Sequence, residues 1–239
     1  MRVVLACMEC SLEKGEAVTG SAFLRDDGSY DYTCEKGHKN TISTQEPHHE
    51  MLFELGVRAI LDGYFREAVS AFSASGERFQ ELAIKSILRK QGLDVSEVSR
   101  SWDKVKKQSE RQFGGFWFLW LVTFNRAPWM LVESDAAFRN DVIHNGKLPG
   151  RPDVVAFGNR VREGILTNAA MLKVHLGDDF LSLYFPDRRQ ALTDLANSGI
   201  RPSQMSYMTL LSQTRDWDEN TRFNDLEGYL SWVKSSNLR

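Results

Sequence analysis

The sequence predicts a mainly α fold, in which a helical bundle follows a small cysteine-containing β-hairpin module and precedes a partly helical C-terminal extension. Apolar residues recur at helical spacing from about residue 48 to residue 177. The three cysteines all lie within the first 34 residues, on either side of the turn signal Asp27-Gly28. Residues 178–239 mix short helical patterns with stretches of no clear period. We therefore divide the chain into residues 1–46, 47–177 and 178–239.

The bulk composition is that of a soluble globular protein. The 239 residues carry a formal net charge of -2, which argues against a nucleic-acid binder that is basic over its whole surface. Eight Lys/Arg against four Asp/Glu run from Lys85 to Arg111, and a solvated helix face accounts for most of them. The longest apolar run, Phe116 to Val122, is too short to cross a bilayer. Since the N-terminus also lacks a secretory signal, we expect a cytoplasmic protein with no membrane partner.

The cysteines are spaced like the ligands of a zinc ribbon. Cys7-x2-Cys10 is followed, after a gap of 23 residues, by Cys34-x3-His38. Two thiolates on one tight turn hold one face of a tetrahedral zinc ion, and a second pair from a facing turn completes the site. Residues 22–33 read as the hairpin that joins the two turns. An odd number of cysteines in a cytoplasmic chain argues against a disulfide framework.

The predicted ligands are therefore Cys7, Cys10, Cys34 and His38. His38 has the best spacing for the fourth position, and His48 and His49 are the alternatives. Four ligands leave no open coordination position, so we expect the Zn²⁺ to be structural and not catalytic. The segment is too poor in apolar residues to fold alone, which favours a bound ion over three unrelated thiols.

Breaks in the helical period separate the first three helices of the bundle. Asp62-Gly63 divides the first helix from the second, with a very short turn between them. Gly92 ends the second helix. Ser96 is the predicted N-cap of the third, which places Val98 and Trp102 on one face.

The fourth helix, "QFGGFWFLWLVTFN", is apolar nearly all round, which predicts that it is buried. Pro128 stops it. Its aromatic run could stack unpaired bases, but a place in the core or in a dimer interface fits its all-round apolarity better.

Two further helices complete the predicted bundle. One runs from about Asp135 to His144 and stops at Asn145-Gly146. The last is a long helix with Pro152 in its first turn, closed by Gly177. In the extension, we predict short helices over residues 187–199 and 224–237. The pattern of residues 200–213 fits neither the helical period nor the strand period.

The helix that ends near His144 carries a cluster of polar side chains, Arg139, Asn140, Asp141 and His144. Histidine donates or accepts a proton near neutral pH, and arginine matches a phosphate that gains charge. Five positions separate Arg139 from His144, so the two reach one site if the helix unwinds at His144. From the residues alone, the cluster fits either acid–base chemistry on a phosphate or a helix end whose Arg and His complement the dipole.

The stretch "RNDVIHNGKLP" resembles the Arg-x4-His signature of the HEPN family (higher eukaryotes and prokaryotes nucleotide-binding). The typical form has a polar residue after the arginine, and a Gly and a Pro often follow the histidine; here these are Asn140, Gly146 and Pro149. The upstream stretch "AILDGYFREAVSAFSASGERFQE" resembles the helical hairpin of that family. The resemblance covers about residues 48–177 and neither the cysteine cluster nor the extension.

This resemblance implies a homodimeric helical bundle that cuts RNA, such as tRNA or mRNA, without a metal in the chemistry. The RNA 2′-hydroxyl attacks the adjacent phosphate and leaves a 2′,3′-cyclic phosphate and a 5′-hydroxyl. His144 would be the general acid or base, Arg139 would stabilise the transition state, and Asn140 would orient the histidine or contact the phosphate. Glu77 is the candidate for the acidic residue that many members add from an upstream helix. HEPN nucleases of this kind often act as toxins or in defence against phage, so an antitoxin or trigger protein is a further candidate partner.

Two other functions remain open at this point. A non-catalytic HEPN module would bind nucleotides or proteins and would not need both Arg139 and His144. A zinc-ribbon adaptor would use its helical body only to dimerise and would bind a protein partner.

Overall fold

The computed structural model of this chain describes residues 2–7, 9, 10, 12, 19–25, 29–44, 46–177, 197, 202–205, 209–212 and 223–235. The chain divides into two units. The first, here the sheet unit, comprises Met1–Pro47 and Phe185–Met208, and the second, the helical unit, comprises His48–Tyr184 and Thr209–Arg239. The mainly helical composition that the sequence predicts is confirmed, and the predicted N-terminal β-hairpin forms part of a larger sheet.

The sheet unit is built on five strands in the order β1-β2-β3-β4-β5. Their bounds are β1 Arg2–Ala6, β2 Thr19–Leu24, β3 Ser29–Thr33, β4 Lys39–Thr44 and β5 Pro202–Met205. Neighbours are antiparallel except for β4 and β5, which are parallel. Tyr30 pairs with Ile42, and both are buried with Ala22 on one face. Because successive side chains of a strand point to opposite faces of the sheet, these three residues lie together on its core side.

The predicted hairpin corresponds to β2 and β3, which pair through Phe23 with Asp31 and Leu24 with Tyr30. Its turn signal at Asp27-Gly28 lies outside the described residues. The fifth strand comes from residues 200–213, the stretch that fits neither period in the sequence. A proline is tolerated at its first residue, Pro202, because the first position of a strand need not donate to the ladder.

The helical unit contains seven helices among the described residues. Their bounds are α1 His48–Leu61, α2 Phe65–Lys90, α3 Val95–Val105, α4 Ser109–Phe124, α5 Glu133–Ile143, α6 Arg151–Leu176 and α7 Leu226–Ser235. The long helix α2 lies at the centre and packs against α1, α3, α4, α5 and α6. Its buried face includes Phe72, Phe79 and Leu82, which belong to one continuous apolar core.

The predicted turn at Asp62-Gly63 is present, with Gly63 at a φ of +80°, where only glycine is free of strain. The predicted N-cap of α3 is wrong by two residues. Asp94 is the N-cap, and its carboxylate accepts hydrogen bonds from the backbone N–H groups of Ser96 and Glu97. A carboxylate binds these unpaired helix amides strongly and is further favoured there by the helix dipole.

The prediction that α4 is buried all round is also wrong for this chain by itself. Phe116 and Trp120 are buried in the core. Phe118 is 68% exposed and Val122 is 81% exposed, on the opposite side of the helix. One helix among several neighbours is covered only where they contact it, so an all-round apolar sequence leaves an uncovered apolar face.

The predicted C-terminal extension, residues 178–239, is shared between the two units, since β5 joins the sheet and α7 packs on α1 and α6. The helix predicted over residues 224–237 is confirmed as α7. The helix predicted over residues 187–199 lies almost entirely outside the described residues. No helix in the described part of the chain is both long enough and apolar enough to cross a bilayer.

Candidate functional site

The polar cluster lies at the C-terminal end of α5, where the chain leaves the helix in a tight turn. Ile143 is the last helical residue and His144 is the C-cap, whose backbone N–H donates to Asn140 O at 2.8 Å. The backbone N–H groups of Asn145 and Lys147 both donate to Asp141 O at 3.1 Å. The helix thus ends within one residue of the predicted end at His144.

The carbonyl groups at this helix end have partners other than Arg139. Arg66, from α2, donates through Nη2 to Ile143 O at 3.3 Å. The Asp141 side chain accepts from Asn145 Nδ2 at 3.1 Å and so braces the turn. Simple capping is therefore the role of Arg66 and Asp141, and the guanidinium of Arg139 points elsewhere.

Arg139 faces Glu77, which lies on the central helix α2. Its Nη2 is 3.9 Å from Glu77 Oε1, and its Nη1 donates to Asn140 Oδ1 at 3.0 Å. The Arg139 side chain is 30% exposed and that of Glu77 is 34% exposed. The fold thus brings three of the four predicted site residues together at a solvent-accessible position, with a guanidinium held between a carboxylate and an amide.

His144, the fourth predicted residue, is exposed one turn further along the chain. Within the described residues its ring makes no hydrogen bond or ion pair, and no contact joins it to Arg139 or Glu77. The imidazole is therefore accessible to a ligand from solvent. One protomer by itself does not place this ring against the guanidinium.

The helix that carries the cluster is anchored to α6. Asp135 is buried and forms an ion pair with Arg160, with 2.5 Å between Oδ1 and Nε. The rings of Phe138 and Phe157 lie with their centroids 5.5 Å apart. A buried carboxylate needs such a partner, and the pair holds Arg139 on a rigid element.

A cavity of about 270 Å³ opens beside Arg139 and Glu77, between α2, α4, α5 and α6. Most of its wall is apolar, with aromatic side chains from α2 and α4 and from the loop after α4. The aromatic lining residues are Phe72, Phe79, Phe113, Phe116 and Trp129. Since Arg139 and Glu77 are partly exposed, they stand at its rim. Such a mostly apolar pocket with a few polar groups is the usual form of a small-ligand site.

The position of Trp129 in this wall is set by two residues of α6. Asn168 accepts from the Trp129 backbone N–H and donates to its carbonyl, each at 2.9 Å. A Cβ atom on Gly164 would lie only 2.4 Å from the indole ring, so the ring packs directly on the helix backbone. The sequence analysis does not predict Trp129 or Asn168 as site residues. Asn168 could be found from the sequence only as a polar residue on the apolar face of a long helix.

In the sheet unit, the four predicted metal ligands come together. Their ligand atoms all lie within 4.8 Å of one another. Cys10 Sγ is 3.8 Å from Cys34 Sγ and 3.3 Å from His38 Nδ1, and Cys7 Sγ is 3.7 Å from that nitrogen. All three cysteines are buried, and none forms a disulfide. His48 and His49, the alternative ligands, begin α1 and do not belong to this cluster.

The backbone shapes one half of this cluster as a knuckle. The N–H of Cys34 donates to His38 O at 3.0 Å, and the N–H of Gly37 donates to Cys34 O at 2.8 Å. Gly37 has a φ of +86°, which a residue with a side chain adopts only with strain. Glu9 Oε2 lies 3.8 Å from His38 Nε2, so a carboxylate faces the far side of the ring whose Nδ1 lies among the sulfurs.

These distances fit a tetrahedral zinc ion. With bonds of about 2.3 Å to sulfur and about 2.1 Å to nitrogen, such an ion spaces two sulfurs about 3.8 Å apart and a sulfur and a nitrogen about 3.6 Å apart. Burial, together with the neighbouring thiols of Cys7 and Cys34, raises the pKa of Cys10 to about 12. Without a cation the Cys10 thiol would stay protonated, and a bound metal ion is what converts such a group to a thiolate.

Comparisons of this chain with protein-family models, with curated proteins and with solved structures found no match. The resemblance to the HEPN family therefore rests on the residues around Arg139 and His144 and on the order of the helices.

Proposed function

We propose that this protein is a HEPN-type endoribonuclease that needs no metal ion in its chemistry, with its active site at the C-terminal end of α5. The observation that carries the proposal is the guanidinium of Arg139, held by Glu77 and Asn140 at a solvent-accessible rim, with the imidazole of His144 exposed at the end of the same helix. A cation and a proton-transfer group on one rigid element are what phosphate cleavage requires.

In the proposed reaction, the RNA 2′-oxygen forms a bond to the adjacent phosphorus and the bond from phosphorus to the 5′-oxygen breaks. The 2′-hydroxyl gives its proton to a base, and the departing 5′-oxygen takes a proton from an acid. His144 supplies one of these two transfers, because imidazole serves either role near neutral pH. Arg139 binds the phosphate oxygens as they gain charge, and Asn140 and Glu77 hold its guanidinium in place.

The separation of His144 from Arg139 within one protomer favours a site shared by two protomers. A homodimer would bring the exposed imidazole of one chain to the phosphate held by its partner. The uncovered face of α4, with Phe118 and Val122, offers an apolar surface for a second copy.

We further propose a structural Zn²⁺ held by Cys7, Cys10, Cys34 and His38, which would supply the folding energy that the small core of the sheet unit lacks. The cellular role we propose is that of a toxin or an anti-phage effector in the cytoplasm, controlled by an antitoxin or trigger protein. It rests on the family resemblance alone.

The test is RNA cleavage in EDTA without added metal. Wild-type protein and the variant Arg139→Ala/His144→Ala are incubated with total cellular RNA and with tRNA, and the fragment ends are mapped. We expect the wild type to leave 2′,3′-cyclic phosphate and 5′-hydroxyl ends and the variant to leave the RNA intact. Zinc bound to the protein is measured after each reaction, so that extraction of the structural ion is recognised.

The matched control is Arg100→Ala/His175→Ala. Arg100 is exposed and pairs only along its own helix with Glu97, and His175 is an exposed histidine near the end of α6. This variant should cut RNA like the wild type. Equal cleavage by all three proteins, cleavage that requires added Mg²⁺, or RNA left intact by the wild type would count against the proposal.

One observation favours a second candidate function, a nucleotide-binding module without cleavage. His144 does not contact Arg139 in one protomer, whereas the aromatic cavity beside Arg139 is complete within a single chain. RNA binding that survives loss of His144, with no cleavage by the wild type, would support this alternative.

A further inference from the structure

We propose that the cavity between α2, α4, α5 and α6 binds an unpaired purine base of the RNA, with the edge of the base read by Gln80 and its adjoining phosphate held by Arg139. This inference rests on the proposed function, because it names the substrate feature that the same site selects. It concerns a pocket inside one protomer and does not depend on a dimer.

The wall of the cavity suits the flat face of a nucleobase. Phe113 is 40% exposed, so the cavity reaches the surface and is not a closed packing gap. Trp129 stands in the same wall, pinned by both hydrogen bonds to Asn168. Fixed aromatic rings beside an opening are the platforms on which single-stranded RNA stacks its bases.

The cavity also carries a polar group suited to reading a base edge. Gln80 lines it from α2, one turn after Glu77. The Gln80 side chain is half-buried, and among the described residues its amide makes no hydrogen bond. An amide presents a donor and an acceptor side by side, which match the N7 acceptor and N6 donor on one edge of adenine. The Gln80 amide is therefore open to a ligand in the cavity that presents the matching donor and acceptor.

The charge at the rim completes the match to a nucleotide. Within the described part of the chain Arg139 makes one hydrogen bond, to Asn140, and its ion pair with Glu77, at 3.9 Å, uses no N–H group in a hydrogen bond. A guanidinium has five N–H donors, so most of them remain for a phosphate. A base in the apolar cavity would therefore place its own phosphate against this cation.

The size of the cavity favours a purine over a pyrimidine. Its volume of about 270 Å³ lies near the lower end of small-ligand pockets, a size suited to a single base. A two-ring base fills more of this apolar space than a one-ring base and so removes more apolar surface from water.

The experiment measures binding separately from cleavage. The full chain with His144→Ala, which cannot complete the proposed proton transfer, is titrated by calorimetry with the dinucleotides adenylyl-adenosine and uridylyl-uridine. We expect the adenine dinucleotide to bind at least about tenfold more tightly. We expect Gln80→Leu, added to His144→Ala, to weaken adenine binding about tenfold, as loss of one paired base edge does.

Matched variants distinguish a loss of base recognition by Gln80 from a general loss of folding. Gln91→Leu alters an exposed glutamine at the end of α2 and should leave binding unchanged. Gly164→Ala should weaken binding, because the added Cβ displaces the Trp129 ring. Equal affinity for the two dinucleotides, or unchanged adenine affinity in Gln80→Leu protein that melts like its parent, would overturn the purine pocket.

Failure of the pocket and failure of the nuclease have different signatures. If the wild type binds purines but does not cleave RNA, the proposed pocket stands and the proposed nuclease activity is contradicted. If it cleaves RNA with the expected ends but does not bind purines, the nuclease activity stands and the pocket is contradicted.

Discussion

The Tyr229 hydroxyl donates a 3.0 Å hydrogen bond to Glu54 Oε2, across 175 positions of the sequence. Both side chains are buried, and Arg58 Nε lies 3.8 Å from the other carboxylate oxygen of Glu54. This cluster joins α7 to α1. Burial raises the pKa of Glu54 to about 7, against the opposing effects of Arg58 and the Tyr229 hydrogen bond. Burial also raises the pKa of Tyr229 well above its ordinary value, so its hydroxyl remains a donor.

The raised pKa of Glu54 predicts a specific dependence of stability on pH. The pKa of Glu54 is about 7 in the folded protein and 4.5 in its reference state. The contribution of Glu54 to the free energy of unfolding is therefore fully present below pH 4.5. It is lost as pH rises through about 7. Glu54→Gln removes this loss, so we expect the variant to gain about 3 kcal/mol relative to the wild type between pH 4.5 and pH 8. Urea unfolding at both pH values measures the difference, and parallel pH profiles would contradict it.

His49 predicts the opposite dependence. Its ring is buried edge-on to Phe79, with the centroids 5.4 Å apart, and in the described residues neither ring nitrogen has a hydrogen-bond partner. Burial, followed by the charge of His48, lowers the pKa of His49 to about 3. Its contribution is therefore present above pH 6.5 and lost as pH falls towards 3.

The matching variant is His49→Phe, compared with His48→Gln at the half-buried neighbour. Relative to the wild type, His49→Phe should gain about 2 kcal/mol between pH 6.5 and pH 4.5, because over this range the unfolded wild-type chain takes up a proton that the buried, neutral His49 ring does not. Chemical unfolding across this range provides the measurement. If His48→Gln changes the pH dependence of the free energy of unfolding and His49→Phe does not, His49 is not its cause.

Metal analysis tests the proposed ribbon. The purified protein should contain about one zinc ion per chain, because four ligand atoms complete one tetrahedral site. His38→Gln should lose most of this zinc, whereas His48→Gln should retain it, since His48 lies outside the cluster. Wild-type protein without zinc would contradict the proposed zinc ribbon. Zinc retained by His38→Gln would show that another residue is the fourth ligand.

Light scattering tests the proposed dimer surface on α4. Phe118→Glu/Val122→Lys places two charges on the uncovered apolar face, so the double variant should be monomeric and should lose RNA cleavage. Val174→Lys alters an equally accessible apolar residue of α6, 88% exposed, and should leave the mass of the particle unchanged. A monomeric double variant that still cuts RNA would exclude a site shared between protomers.

Local chemistry explains the parts of the fold that the sequence predicts well. Gly63 and the Asn145-Gly146 pair end helices because of the backbone conformations they allow, which neighbours along the chain do not alter. The two-residue gap between Cys7 and Cys10 likewise fits one tight turn that points both thiols to the same side. Where two local signals compete, as Asp94 and Ser96 do at the start of α3, the sequence places the boundary only to within a few residues.

Burial is harder to predict because it depends on which elements meet. The composition of α4 shows that the helix is apolar, but only its neighbours decide that Trp120 enters the core and Phe118 does not. The cavity is a feature of the same kind. Its wall combines Gln80 from α2 with Trp129 from a loop, and no period along the chain connects them.

The sequence by itself determined the mainly helical fold, the order and breaks of the helices, the three cysteines as candidate metal ligands and the end of α5 near His144, whereas the structure placed His38, and not His48 or His49, beside those cysteines. Each feature that the sequence determined follows from the conformational preferences and spacing of residues close together in the chain. Only the tertiary structure decided that Glu77 meets Arg139, that β5 joins β4, and that Tyr229 meets Glu54. Such contacts form between distant segments because burying apolar surface offsets the entropy of closing long loops, and that balance depends on the whole fold.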